Sequence, residues 1–239
     1  VPSPVSTAKS ARWYNSPRFR ADDPWADLNP ATLAVVLIDM INWQAHPDGS
    51  SVRGMLEVGL TDEYQYYTER CAKLVVPALV EVVRVARRVG ATVVHARLAS
   101  EQADFSDIVP AFQPYMTLNQ ANEGSWATQP LDELSPAPTD LSVVKRGSGA
   151  FVSSDLHEQL SARGITTLVL AGVVTNACVF LTAGAGFDLG YRQYLLSDGT
   201  AAFSEADQAS AEKFMDSYVA QVVRSSDLIA ALERIAAGV

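Results

Sequence analysis

Six short runs of β-branched and leucine residues recur along this chain with helical patterns between them, and that alternation constrains the fold more than any other feature. The runs are "LAVVLID" (33–39), "ATVVHA" (91–96), "LSVVK" (141–145), "TTLVLAG" (166–172), "YRQYLLSD" (191–198) and a weaker "AQVVRS" (220–225). Apolar runs that do not alternate with polar residues belong to strands buried on both faces, and helices between them make the sheet parallel. The expectation is a three-layer αβα protein with a mostly parallel six-stranded, Rossmann-like sheet.

Between the first two runs, Leu74, Ala78, Leu79, Val82, Val83, Ala86 and Val89 recur at helical spacing and Gly90 follows as a stop. Pro77 falls inside this crossover helix, so either the helix kinks there or its regular part begins there. "SSDLHEQLSARG" (153–164) and "SEADQASAEKFMDSYV" (204–219) are further helices. Residues 1–30 are polar and proline-studded and read as an arm, leaving 31–239 as a single domain. Two long insertions, 40–66 and 99–138, follow strands one and two. In a parallel sheet such loops lie over the carboxyl ends of the strands, where ligands bind.

Acidic residues number 27 against 18 lysines and arginines, a net charge of −9 with no basic run, so nucleic acid and anionic membrane are excluded as partners. The opening segment lacks the apolar core of a secretion signal and no apolar run reaches membrane-spanning length, so a soluble, cytoplasmic protein is expected. Cys71 and Cys178 are the only cysteines and read as free thiols.

Three strands end in chemically useful residues: Asp39 after the first, Lys145 after the third and Cys178 just past the fourth. Parallel strands bring their carboxyl ends to one edge, so these three converge. Cys178 falls in the first turn of the next helix, where the helix N-terminus and the Lys145 ammonium favour a thiolate and Asp39 can take and return a proton. Each has a plainer reading: Cys178 as a core cysteine, Asp39 as a cap or ion-pair partner, Lys145 as a surface lysine beside Arg146.

The segments "VVLIDM", "VVKRGSGAF", "LSARGITTLVLAGVVTNACV" and "DLGYRQYLLSDGTAAF" together resemble the isochorismatase-like cysteine hydrolases, over about Leu33 to Val223. The resemblance implies Asp39 as proton-transfer group, Lys145 as charge partner and Cys178 as nucleophile. It also implies a cis peptide between Val173 and Val174 that turns the Val174 amide inward, where with the Cys178 amide it forms an oxyanion hole. A homo-oligomer, dimer or tetramer, is expected. The implied chemistry is hydrolysis of a linear C–N bond in a small amide, ureide or hydrazide through a thioester. Vinyl-ether hydrolysis without the thiol, and a non-catalytic binding module, are the alternatives.

Departures from the family pattern bear on the substrate. Ile41 stands where a glutamine is usual, Asn42 and Trp43 alter the adjoining wall, and Phe180 replaces commonly polar positions after the nucleophile. Trp43, Asn42, Trp126, Phe151 and Phe180 are therefore candidate pocket residues, and Arg97 is either a surface residue or a ligand for a substrate carboxylate. The histidines, His46, His95 and His157, form no cluster in sequence. Neither metal nor cofactor is expected, and the pocket is expected to favour an uncharged, flat or hydrophobic acyl group.

Overall fold

The computed structural model describes residues 24–238. All six expected strands form: β1 Leu33–Ile38, β2 Thr92–Leu98, β3 Leu141–Lys145, β4 Thr167–Val173, β5 Arg192–Ala201 and β6 Gln221–Val223. They make one sheet in the order β3-β2-β1-β4-β5-β6, and every pairing is parallel rather than mostly so. The chain builds outward from β1 to β3, then returns to β4 on the other side of β1. The β1/β4 boundary is thus the switch point where crossovers leave in opposite directions and a crevice opens.

The helices are α1 Asn42–Ala45, α2 Ser50–Glu57, α3 Thr61–Arg70, α4 Val76–Arg88, α5 Gln113–Leu118, α6 Leu156–Ser161, α7 Phe180–Asp188, α8 Glu205–Tyr218 and α9 Ser225–Ala237. Successive β1 residues point to opposite faces. Leu33, Val35 and Leu37 pack with Leu79 and Val82 of α4 and Leu228 and Leu232 of α9, while Ala34, Val36 and Ile38 pack with α6, α7 and α8. Burial of both faces explains why the strands read as uninterrupted apolar runs.

Pro77 lies in the first turn of α4, so the regular α-helix begins just ahead of it. A π-helical turn, Cys71–Val75, joins it to α3. Ser204 caps α8 by accepting from the Asp207 amide at 3.1 Å.

The two insertions do lie at the carboxyl edge and fasten to each other. Asn42 donates from its backbone N–H to the Gln129 carbonyl at 2.9 Å, and Leu131 donates to Met40 at 3.0 Å. Ile41, Trp43, Leu98, Phe105, Ile108 and Met116 form a small core of their own between them. Of the expected arm, residues 1–23 lie outside the described residues. Trp25 and Leu28 pack on the main core, and the Arg192 guanidinium donates to the Pro24 carbonyl at 2.8 Å.

Candidate active site

Asp39 leaves β1 in a left-handed backbone conformation, φ 52°, which a short polar side chain tolerates better than most. Its backbone N–H donates to Ala96 at 2.9 Å, and its Oδ1 accepts the Leu98 amide at 2.8 Å, so the end of β2 fixes the carboxylate. Oδ2 faces Lys145 Nζ at 2.8 Å. Lys145 reaches in from the end of β3, and Nζ lies 3.4 Å from Cys178 Sγ. The geometry brings all three residues together, and all three are buried; Cys178 is 5% exposed.

Cys178 is carried by a π-helical turn, Thr175–Val179, directly ahead of α7. Two features hold that turn against the sheet. Gly172 has φ +110°, and a Cβ there would meet the Ile38 carbonyl oxygen at 2.0 Å, so only glycine lets β4 pass the end of β1. Gln208 on α8 accepts the Thr175 hydroxyl at 2.8 Å and the Ala202 amide at 2.8 Å, joining the turn to the end of β5. The Val173–Val174 peptide is cis.

The electrostatics differ from the expectation of a resting thiolate. Burial pushes the Cys178 thiol up to about 11; Lys145 opposes this by its charge, and the Asp39 carboxylate reinforces it. The resting sulfur therefore carries its proton. Burial also works against the Lys145 ammonium, but the Asp39 carboxylate and the sulfur outweigh it and raise the lysine above its usual range. The site holds a fixed positive charge beside a protonated thiol. Cys71, by contrast, sits in the core beside Tyr67, and burial pushes it up to about 12.

Ser148 completes the surroundings of the sulfur. Its hydroxyl donates to Cys178 Sγ at 3.4 Å, and its carbonyl accepts from Lys145 Nζ at 2.9 Å. The "KRGSGAF" pattern contains Ser148 without singling it out; its place three residues after Lys145 in a glycine-flanked turn is the signal that could have done so.

The wall residues correct several expectations. Every guanidinium nitrogen of Arg97 is engaged: Nη1 and Nη2 hold Glu123 at 3.0 and 2.8 Å, Nη1 also reaches the Thr128 carbonyl, and Nε and Nη2 meet the Ser142 hydroxyl. It ties the second insertion to β2 and β3 and is not free for a substrate carboxylate. Phe151 is buried in the core on the α6–α7 side, stacked on Tyr191 with ring centroids 5.4 Å apart. Phe180 turns toward α8, where its ring meets Phe214 at 5.1 Å. Trp43 is 1% exposed and donates to the Leu98 carbonyl, a core residue of the insertions rather than an open wall. Asn42 donates its side-chain N–H to the Trp126 carbonyl at 2.9 Å, and Trp126 itself is 55% exposed.

A cavity of about 850 Å³ opens over the carboxyl edge, lined by Ser51, Met55, Leu60, Tyr115 and Phe203 among others. Its walls come from the segments after β1, β2 and β5, and Asp39, Lys145 and Cys178 are not among its lining residues. The hydroxyls of Tyr115 and Ser51 are hydrogen-bonded to each other, and the Tyr115 ring lies edge-on to Trp43 at 5.4 Å. Among the described residues no group of three or more His, Cys, Asp and Glu could hold a metal ion. His95 meets Asp140 at 3.2 Å and His157 meets Tyr191 at 3.0 Å, so both have structural partners. No helix among the described residues is long and apolar enough to cross a membrane.

Comparison with known proteins agrees with this architecture. The isochorismatase domain family matches residues 34–227. Ureidoacrylate amidohydrolase RutB of Azorhizobium caulinodans is 32% identical over 185 residues, covering 70% of this chain and 75% of that protein. A cysteine hydrolase from Pseudomonas syringae pv. phaseolicola 1448A superposes with a TM-score of 0.75 at 24% identity, covering 86% of this chain and 94% of that one. N-carbamoylsarcosine amidase from Thermoplasma acidophilum gives 0.60 at 23% identity, covering 81% and 96%. These two likenesses speak to the fold.

Proposed function

This chain belongs to the isochorismatase family, and on that premise we propose that it is a cysteine hydrolase that cleaves a linear amide-type C–N bond through a thioester. The observation that carries the reading is the buried contact of Asp39, Lys145 and Cys178 at the switch point of the sheet. Asp39 takes the Cys178 proton as the sulfur attacks the substrate carbonyl. Lys145 balances the negative charge throughout. The oxygen of the tetrahedral intermediate is received by the backbone N–H groups of Val174 and Cys178. Asp39 then hands its proton to the departing nitrogen, and the amine leaves. Water deprotonated by Asp39 attacks the thioester, the C–S bond breaks, and the acid departs with the thiol restored.

A protonated resting thiol suits this cycle, because proton removal is coupled to attack and the Asp39 carboxylate stands ready to accept the proton. The substrate is a small molecule, and no cofactor takes part in the steps above. The acidic net charge of −9 supports a protein with no nucleic-acid role, and a cytoplasmic homo-oligomer is the setting proposed.

The test is a panel of amides, ureides and hydrazides, scored by release of ammonia, amine or hydrazine. Ureidoacrylate, named for the Azorhizobium relative, stands first in the panel. Cys178→Ala is expected to lower turnover by at least on the order of a thousandfold with the fold retained, and Cys71→Ala to change it little. Substantial turnover by Cys178→Ala would refute the covalent route and favour acid chemistry by Asp39 alone.

A further inference from the structure

We infer that the Ser148 hydroxyl is a catalytic hydrogen-bond donor to the Cys178 sulfur, holding the negative charge that appears there once the thiol proton has moved to Asp39. The inference rests on the reading of Cys178 as the nucleophile.

Counting donors leads to it. A lysine ammonium has three N–H groups. Lys145 Nζ has four neighbours: Asp39 Oδ2 at 2.8 Å, the Ser148 carbonyl at 2.9 Å, the Gly147 carbonyl at 3.0 Å and Cys178 Sγ at 3.4 Å. Its hydrogen bonds run to the two carbonyls and to the sulfur, while Asp39 Oδ2 pairs with it by charge. The sulfur thus receives one N–H from Lys145, and a thiolate has room for a further donor. Ser148 Oγ, at 3.4 Å from Sγ, is the hydroxyl in contact with that atom, and the sulfur is its hydrogen-bond partner.

The need arises on ionisation. When Asp39 accepts the proton, the S–H bond breaks, its electron pair stays on sulfur, and the neighbouring carboxylate becomes neutral; Ser148 keeps its own proton. A thiolate that is 5% exposed has little water to solvate it, and a buried charge without donors is costly. The hydroxyl answers that need without moving. Its direction is fixed by its own backbone, because the Ser148 carbonyl is already bound to Lys145, so one residue holds the cation through its oxygen and the sulfur through its hydroxyl. The turn around it is tight: a Cβ on Gly147 would meet Val109 Cγ1 at 3.2 Å. The hydrogen bond to Ser148 acts on the thiol in the same sense as Lys145, downward against the effect of burial.

Alkylation of Cys178 by iodoacetamide, followed by mass spectrometry of the Cys178 peptide across about pH 7 to pH 10, reads thiolate formation without any substrate. Ser148→Ala is expected to slow alkylation about tenfold or more at each pH, as a displaced thiol ionisation would, while Ser148→Thr stays within about threefold of the parent. On whichever amide the parent turns over, Ser148→Ala is expected to lower kcat more than it raises KM. Equal alkylation of the parent and Ser148→Ala across the pH range would overturn the inference. Ser148→Gly is the second hydroxyl-free variant; if both it and Ser148→Ala lose the fold by circular dichroism, Ser148 is structural and the inference is also overturned. A parent that turns over no amide but shows the alkylation difference would instead defeat the proposed function and leave the donor in place.

Discussion

Asp39 and Lys145 pull the Cys178 thiol in opposite directions, and the structure turns this into a test by sign. Lys145 lowers the thiol by its charge, whereas Asp39 raises it by its charge and by a hydrogen bond. Losing Lys145 therefore hinders ionisation, whereas losing the buried Asp39 carboxylate eases it. Asp39→Asn is therefore expected to speed iodoacetamide alkylation of Cys178, and Lys145→Ala to slow it, while each lowers kcat/KM on the order of a hundredfold or more. Opposite changes in thiol reactivity with parallel losses of turnover identify Asp39 as the proton carrier. Matching slow alkylation in both variants would remove it from that role.

At the level of elements, Asp140 ties α4 and β2 to the loop just ahead of β3. Its carboxylate accepts from Arg87 at the end of α4, from His95 on β2 at 3.2 Å and from the Ala137 amide at 2.9 Å. Burial alone would raise this carboxyl, but the Arg87 hydrogen bonds and charge outweigh it and hold it below the usual carboxylate range. Since the unfolded chain binds this proton first, the stabilisation is full above the ordinary carboxylate pKa and is lost as pH falls through the lower, folded value. Asp140→Asn is expected to cost about 2 kcal/mol at neutral pH, read as a lower urea midpoint, with the difference from the parent shrinking in acid. An unchanged midpoint at neutral pH would show that the cluster contributes nothing. The strands that this cluster braces were legible in sequence because burial on both faces leaves an unbroken apolar run. Helix α3 was not, since "TDEYQYYTER" buries only Tyr67 and shows no periodicity. Likewise α9 buries only Leu228, Ala231 and Leu232 beside Ser225, a narrow stripe past the last recognisable strand. Asp39, Lys145 and Cys178 were legible because strand ends fix where such residues go. The walls were not: Trp43 went into a core between the insertions and Arg97 onto Glu123, and both outcomes depend on loop conformations that no local pattern specifies.

At the scale of the whole molecule, with its net charge of −9, acidic residues gather around one cavity. Asp48, Glu57, Glu63 and Asp207 stand around the cavity against Arg53, which itself lies 4.0 Å from Asp48. Two further cations at the carboxyl edge are committed, Lys145 to Asp39 and Arg97 to Glu123. Met55, Leu60, Tyr115 and Phe203 supply apolar and aromatic surface to the same cavity. A cleft lined by one sign of charge raises the local concentration of the opposite sign and depletes its own, and the effect fades with salt. In a matched series of amides with cationic, neutral and carboxylate-bearing acyl groups, kcat/KM is expected to fall in that order at low ionic strength. The anionic member should trail the neutral one by about tenfold, a gap that narrows as salt is added. Neutralising the rim with Glu57→Gln and Glu63→Gln together is expected to raise the anionic substrate severalfold and leave the neutral one unchanged. A preference for the carboxylate-bearing ureide that persists at high salt would mean that a cation reaches the substrate after all. Arg97→Ala would then separate the cases: selective loss on the anionic substrate would assign Arg97 to it, whereas equal loss on all three would return Arg97 to its tie with Glu123.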